Sequence, residues 1–593
     1  MRTIEKYLPL SIGLLAVFLL WFYLEKAQEF LFYYREQVQI FRFDSSFIYD
    51  RFFVVGGFSL CLSQFFVQFF CVPLIGSLIT AVCSVASAAF LWLAFRKINR
   101  HVCLFALCFL PVLFQINALY DFYYSYQGLV SFCLASLFIY VYAVFVPTLK
   151  GIYRLLWGSM LSVVLFVLAG AAALLSAVAI FFFELSTDYK RAHYQLLPVV
   201  LVLLSGFYIV ARGDAASFRL ALLNDAYYEP ILRPTKFFLT SWILVVLVML
   251  VFFALKRLPV FKPSVSVGCA LVLFAGICWY CLYSGERNSS KAYGLFELQH
   301  YVVTEDWDRI LQSKVVRADN YLLLNYANLA LSHRGRLISN LFDYPQRGPM
   351  SLLVQGNSND QIPELTTILA DLYYRVGSIG AAQSKAFDSN VGIRYGNPSM
   401  VKLLVKTNLI FGAYAVAEKY ISLLEKTWRY ADWARAQRRF LYDDEAVASD
   451  QELGTKRKGL TRQDHFAFLY GPYADMLNTL EANPADTVAR DYALAFLMLA
   501  KDRKNVNRFV ERYAGTEILK TVPPLFQQAV MIMNENDPAY CRRYGVSENV
   551  VESYGDFRRK YLSAIENRRS AAADLLGEYG KSYWYYFLFK NIP

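Results

Sequence analysis

Histidine and charge are both scarce in this chain: 593 residues hold only five His, and 18% of positions carry a charged side chain. His101, His193, His300, His333 and His465 stand apart from one another. No HExxH or other paired spacing offers the tetrahedral N-donor set that zinc requires. Nine of the ten cysteines (Cys61, Cys71, Cys83, Cys103, Cys108, Cys133, Cys269, Cys278 and Cys281) fall in apolar runs, where they serve as small hydrophobes. Cys541 is the only one beyond them, which excludes a disulfide framework or a CxxC metal site in the second half. No GxxxxGK[ST] loop, dinucleotide fingerprint or GxSxG elbow is present, so neither nucleotide-driven transport nor nucleophilic-serine chemistry has its usual sequence support. The apolar runs lack buried acids of the kind that ion-coupled transport uses. Long apolar runs are themselves missing after residue 283.

What is abundant is apolar and aromatic: 57% hydrophobic residues and 17% aromatics, including 43 Tyr and 48 Phe. Soluble proteins do not show this balance. Tyr and Trp suit headgroup depth, where an apolar ring and a polar tip are both accommodated. The net charge of +12, from 59 Lys and Arg against 47 Asp and Glu, fits attraction to anionic headgroups. It does not indicate nucleic acid, because no basic helix with interleaved aromatics occurs.

A membrane-crossing helix needs roughly 20 apolar residues, since every backbone N–H and C=O must be satisfied within the segment. Runs of this kind end near Leu24 and recur at 52–72, 74–95, 101–119, 127–146, 154–183, 196–211, 237–255 and 265–283, nine in all. The first begins with Arg2 and Lys6 like a signal peptide, but ends in Trp21, Phe22 and Tyr23 instead of small residues, which predicts a retained helix. Pro111 interrupts the fourth run, the sixth is long, and Pro73 with Gly76 implies a tight turn between the second and third. With Arg2 and Lys6 inside, nine crossings place residue 284 onward outside. The loop charges oppose this, because the outer loops carry more Lys and Arg than the inner ones. The orientation is reversed, or a span is miscounted, or the outer cations serve a purpose such as phosphate binding.

Two connections are long and charged, Glu25 to Arg51 and Arg212 to Lys236, and parity puts both on one face. In the first, Glu25 and Glu29 share a helix face if the first helix continues, and Asp44 and Asp50 alternate with Arg42 and Arg51. Acids and cations held at a membrane surface bind a divalent metal and a diphosphate, and one carboxylate then activates an acceptor hydroxyl. The plainer reading is that these charges mark the water boundary. The second connection offers Asp214, Asp225 and Glu229 beside Arg219 and Arg233, with Tyr227 and Tyr228 between. Glu184, at the end of the sixth run, reads as a cap.

From about Glu286 the pattern changes to amphipathic helices and polar turns. Gly377, Ile379 and Ala382 are repeated 35 residues later as Gly412, Tyr414 and Ala417, with looser echoes at Gly335 and Leu337 and around Leu499 to Phe509. This resembles the turn of a tetratricopeptide repeat, where Gly permits the reversal and Ala lets paired helices approach. The alternative is an irregular helical bundle with coincidental glycines. Polar stretches at 345–363 and 443–464 read as exposed loops. The expected architecture is therefore all-α: a polytopic membrane domain, 1–283, followed by a soluble tetratricopeptide-like domain, 284–593.

Around Gln64 to Gly76, preceded by Gly56 and Gly57, the chain resembles an uncharacterised family of large inner-membrane proteins from Bacteroidota; Pro484, the run Asp491 to Asp502 and the run Pro523 to Val530 extend the likeness. No activity comes with that family. An architectural likeness also exists to membrane glycosyltransferases that use polyprenyl-phosphate sugars. It implies an essential acid in the first outer loop, for which Asp44 and Asp50 are the matching positions, with a divalent metal implied only in that case. Two readings follow. One is a protein of envelope biogenesis in the bacterial inner membrane, contacting lipid and docking a protein partner on its repeat domain. The other is an enzyme that transfers a glycan from a lipid-linked sugar.

Overall fold

The computed structural model describes residues 2–149, 152–188, 190, 192–229, 238–257, 291–318, 320–354, 363–393, 395–460 and 472–591, with scattered positions of 265–279. Among the described residues it is all-helical, and its only β pairing is two isolated bridges. The chain forms two compact units, Met1–Phe296 and Glu297–Pro593.

The first unit contains α1 (Arg2–Gln37), α2 (Ser45–Phe52), α3 (Gly57–Val67), α4 (Ile75–Phe95), α5 (Phe109–Leu119), α6 (Gln127–Phe145), α7 (Ile152–Ala169), α8 (Ala172–Thr187), α9 (Leu196–Ala211), α10 (Phe218–Leu222) and α11 (Thr240–Ala254). Its helices are amphipathic in the inverted sense. Leu10, Leu14, Phe18 and Phe22, one turn apart along α1, are exposed, as are Leu196, Val200, Leu204 and Phe207 on α9. Many buried positions of α4 and α6 are small or hydroxylated, among them Ser77, Thr80, Ala81, Ser84, Ala88, Ser131 and Ala135. The small residues let the α4 and α6 backbones approach, and the two helices pack closely against each other.

Five stretches are long and apolar enough to cross a membrane: Pro9–Gln37, Ile75–Phe95, Gln127–Thr148, Ile152–Ala169 and Ala192–Ala211. Nine were expected from hydropathy, and the differences have local causes. The run 154–183 is two antiparallel helices, not one. Gly170, at φ +65°, reverses the chain between α7 and α8, bringing Arg154 at the start of one to Glu184 near the end of the other. The run 52–72 holds α3, only 11 residues, followed by a 3-10 turn, Gln68–Cys71. The fourth run opens as a 3-10 stretch, Val102–Cys108, before α5, where Pro111 falls in the first turn and costs no hydrogen bond. α11 is 15 residues, and the run 265–283 lies largely outside the described residues.

The connection Glu25 to Arg51 is mostly helix, with only residues 38–44 irregular between α1 and α2. α1 continues to Gln37 past a kink at Gln28, and at 36 residues it is about 54 Å long. Helix persists there because the polar side chains face protein: Gln28, Arg35, Glu36 and Gln37 are all buried.

In the second unit the labelled helices are α12 (Tyr321–His333), α13 (Pro363–Val376), α14 (Ile379–Gly392), α15 (Pro398–Phe411), α16 (Tyr414–Glu425), α17 (Gln451–Lys458), α18 (Thr487–Ala500) and α19 (Arg503–Tyr513). α13–α14 and α15–α16 are successive helical hairpins, turning at Gly377 (φ +96°) and Gly412 (φ +74°). Ala382 and Ala417 are fully buried at the corresponding positions, as the close approach of paired helices requires. Tyr414 departs from the repeat: it is half-buried and its hydroxyl donates to Asp444 at 2.5 Å. The stretch 443–460, expected as a loop, is a short helix Asp444–Ser449 followed by α17, capped by Asp443 and Asp450.

Candidate functional site

Asp44 is the N-cap of α2. Its Oδ1 accepts from the Phe47 amide at 2.8 Å and from the Ser46 hydroxyl at 2.6 Å, and its Oδ2 pairs with Arg42 Nε at 3.2 Å. A carboxylate so engaged is holding a helix end. Arg42 and Arg51 converge on the Phe47 ring, at 5.0 and 4.5 Å from its centroid. Asp50 is exposed on the same helix without a hydrogen bond or ion pair. Around it the surface is apolar: Phe43, Ile48, Tyr49, Phe52, Phe53, Val54 and Val55 are all exposed.

Glu25 and Glu29 do lie together, lining a narrow crevice with Phe32, Tyr33, Phe70 and Ser77. Glu25 is engaged there, accepting from the Ser77 hydroxyl at 2.5 Å and the Leu74 amide at 3.3 Å, and so fastens α1 to the start of α4. It satisfies an amide of the tight turn at Leu74, which has a left-handed backbone (φ +70°).

The acids of the second connection have other partners. Asp225 is buried and paired with Arg219, and exposed Asp214 pairs with Arg212 at 3.4 Å. The Glu229 amide donates to the Tyr123 carbonyl at 3.1 Å, and the Ser125 amide to the Tyr227 carbonyl at 2.7 Å, tying this segment to the α5–α6 turn. Tyr227 Oη donates to the Ala169 carbonyl at 2.6 Å and accepts from the Ala172 amide at 3.0 Å, which secures the Gly170 reversal. Arg233 lies outside the described residues.

The most developed polar centre was missed by sequence reasoning. Arg35, 6% exposed, donates to the carbonyls of Tyr124 (2.9 Å), Leu119 (2.7 Å) and Asp121 (3.5 Å). These are carbonyls at and beyond the C-terminus of α5, where a helix leaves acceptors unpaired and carries partial negative charge. Beside them Gln115 donates to Tyr124 Oη at 2.8 Å, Tyr124 Oη to Asn224 at 2.6 Å, Asn224 to the Phe238 carbonyl at 2.8 Å, and Ser241 to Gln115 at 2.9 Å. One chain of hydrogen bonds thus joins α1, α5, the 224–229 segment and α11. Glu184 is a second surprise: 1% exposed, it accepts from Tyr142 Oη at 2.8 Å and faces Arg154 at 3.4 Å, so it bridges three helices instead of capping one. The available signal was four-residue spacing of Arg35 from Leu31 within an apolar helical pattern, which keeps Arg35 on a buried face.

Among the described residues no group of three or more His, Cys, Asp or Glu is placed to hold a metal ion. Of the acids singled out in the sequence, Asp44 serves a helix cap, Glu25 a turn and Asp225 an ion pair, while Asp50 stands exposed.

These features define a class, an all-helical protein with five helices long and apolar enough to span a membrane, compatible with a membrane protein. The chain belongs to a family of unknown function (DUF6057), whose match covers residues 6–590. No curated protein and no solved structure matches it.

Proposed function

We propose that this is a multi-span protein of the bacterial inner membrane, serving envelope biogenesis, whose second unit is a tetratricopeptide-like array that docks a protein partner. The observation that carries the reading is the fate of the acids. Asp44, Glu25 and Asp225 are each committed to local structure, whereas α13 to α16 form two hairpins at a 35-residue step with fully buried Ala382 and Ala417 in register. Stacked helix pairs present a long face with room for an extended partner. The exposed aromatic and aliphatic side chains of α2 suit the boundary between headgroups and acyl chains, with Arg42 and Arg51 at its polar edge. Arg2 and Lys6 favour a cytoplasmic start for α1 and an outer position for the second unit.

Glycan transfer is the second reading, and Asp50, exposed and unpartnered on α2, is the residue that keeps it alive. The test replaces Asp44 and Asp50 with Asn, which retains capping ability while removing the charge. Envelope glycans and the membrane abundance of the protein are then measured. Unchanged glycans at normal abundance are expected. Loss of a glycan product from a protein still present at normal levels would establish transfer and refute the docking reading.

A further inference from the structure

The second unit carries a slot that already holds a carboxylate. Glu452, on α17, accepts from Lys406 Nζ through both oxygens, at 2.8 and 3.0 Å, and its Oε1 also accepts from Tyr374 Oη at 2.8 Å. The three groups come from α17, α15 and α13, so the slot crosses consecutive hairpins. Further cations surround it. Lys456 Nζ stands 5.5 Å from the Tyr374 ring centroid and donates to the Arg375 carbonyl at 2.7 Å. Lys402, one turn before Lys406 on α15, stands 4.8 Å from the Trp433 ring. Burial, Lys406 and Arg429 together hold Lys402 below the usual lysine range, and burial holds Lys456 down to about 8. The acids that act on this face are Glu452, Glu305, Asp450, Asp486 and Asp371; burial pushes Asp371 up to about 7 against the pull of Lys406, so it carries only part of a charge near neutral pH. Around Lys402 the neighbouring cations Lys406 and Arg429 outweigh the acids Glu305 and Glu452, and a second carboxylate there would relieve the crowding.

We propose that this face, Lys402 and Lys406 with Tyr374 and Trp433, receives an acidic peptide segment of the partner, and that Glu452 is an internal stand-in which the segment displaces. The proposal rests on the docking reading above and names the chemistry of what docks. Displacement is energetically accessible because Glu452 is 47% exposed and Lys406 27%, and an ion pair reached by solvent is weak. A segment with two carboxylates about 6 Å apart, the spacing of side chains one helical turn apart, engages Lys402 and Lys406 together. The half-buried lysines and the flanking ring of Trp433 favour a narrow chain over a flat anionic membrane.

The test uses the full chain in detergent micelles and fluorescein-labelled hexaglutamate, read by anisotropy. Binding that weakens at least tenfold in Lys402→Gln/Lys406→Gln, falls with added salt, and tightens about two- to fivefold in Glu452→Gln is expected, the last because the internal competitor is gone. Hexalysine serves as the control. Absence of hexaglutamate binding, or binding indifferent to all three substitutions, overturns the proposal. So does stronger dependence on these residues for vesicles rich in phosphatidylglycerol than for the peptide, which would make the face a lipid site. A photo-crosslinker at position 433 separates the two levels of argument: capture of a protein in cells without hexaglutamate affinity leaves docking standing and removes the acidic segment, whereas neither result leaves docking without support.

Discussion

Replacing Arg35 with Met retains the length and apolar stem of the side chain and removes its guanidinium. The loss is not a simple subtraction of three hydrogen bonds. Burying a cation is itself costly, and an apolar replacement recovers that cost. What it does not recover is the state of the acceptors. The carbonyls of Leu119 and Tyr124, at 2.7 and 2.9 Å from the guanidinium, are left in a closed region, each at a penalty of about 1–3 kcal/mol; the Asp121 carbonyl, at 3.5 Å, adds little. After allowance for the relieved charge, roughly 2–4 kcal/mol of local stability should be lost at the α5–α6 turn. Because the chain has two units, a single melting temperature would blur this effect. Hydrogen–deuterium exchange on detergent-solubilised protein resolves it. Amides of residues 119–130 should exchange about 30-fold to 1,000-fold faster in Arg35→Met, at tenfold per 1.4 kcal/mol, while those of α15 and α16 keep their wild-type rates. Arg35→Lys should fall between, since an ammonium cannot span both carbonyls with the planar fork of arginine. Unchanged exchange at 119–130 in Arg35→Met would refute the assignment of Arg35 as the pin of this turn.

The remaining expectations concern the second unit and α2. Gly412→Ala places a Cβ with no contact nearer than 3.5 Å but in a left-handed backbone, so about 1–2 kcal/mol of pure strain should appear as faster exchange across α15 and α16. A comparable rate would show that the turn tolerates the change by rearranging. His333 stacks on Trp307 at 3.7 Å between ring centroids, and burial, with Arg375, Lys456 and Arg334 nearby, holds its pKa down to about 3. The folded state therefore refuses a proton that the unfolded chain accepts near 6.5: the stabilisation is complete above that pH and is lost as pH falls towards 3. Urea titrations in detergent should show wild-type stability declining on acidification through this window more steeply than His333→Asn, and equal slopes would contradict the assignment. A spin label at position 49 or 53 in a nanodisc should be more accessible to oxygen than to a water-soluble nickel chelate, the reverse being expected if α2 stands in water.

Much of the architecture was legible in residue order, and the reasons are physical. An apolar run of membrane length is a local property, so Ile75–Phe95 and Gln127–Thr148 were readable to within a few residues. Glycine in a left-handed turn is local too, which is why Gly377 and Gly412 marked real hairpins. Hydropathy is blind to reversal inside a run, however, and the window 154–183 concealed Gly170 and two antiparallel helices. It is equally blind to what a charged side chain faces. Arg35 looks like a water-exposed residue in sequence, yet it is buried because carbonyls from a distant segment meet it.

The sequence by itself determined that the first unit is apolar and the second amphipathic, because transfer from water to lipid depends on each side chain separately and sums along a helix. Tertiary structure alone decided the meaning of the charges whose partners lie far along the chain: that Arg35 serves three carbonyls and that Glu452 rests among lysines. Each of those roles depends on which backbone or side-chain group comes within about 3 Å, and partners separated by tens of residues are brought to that distance only by folding.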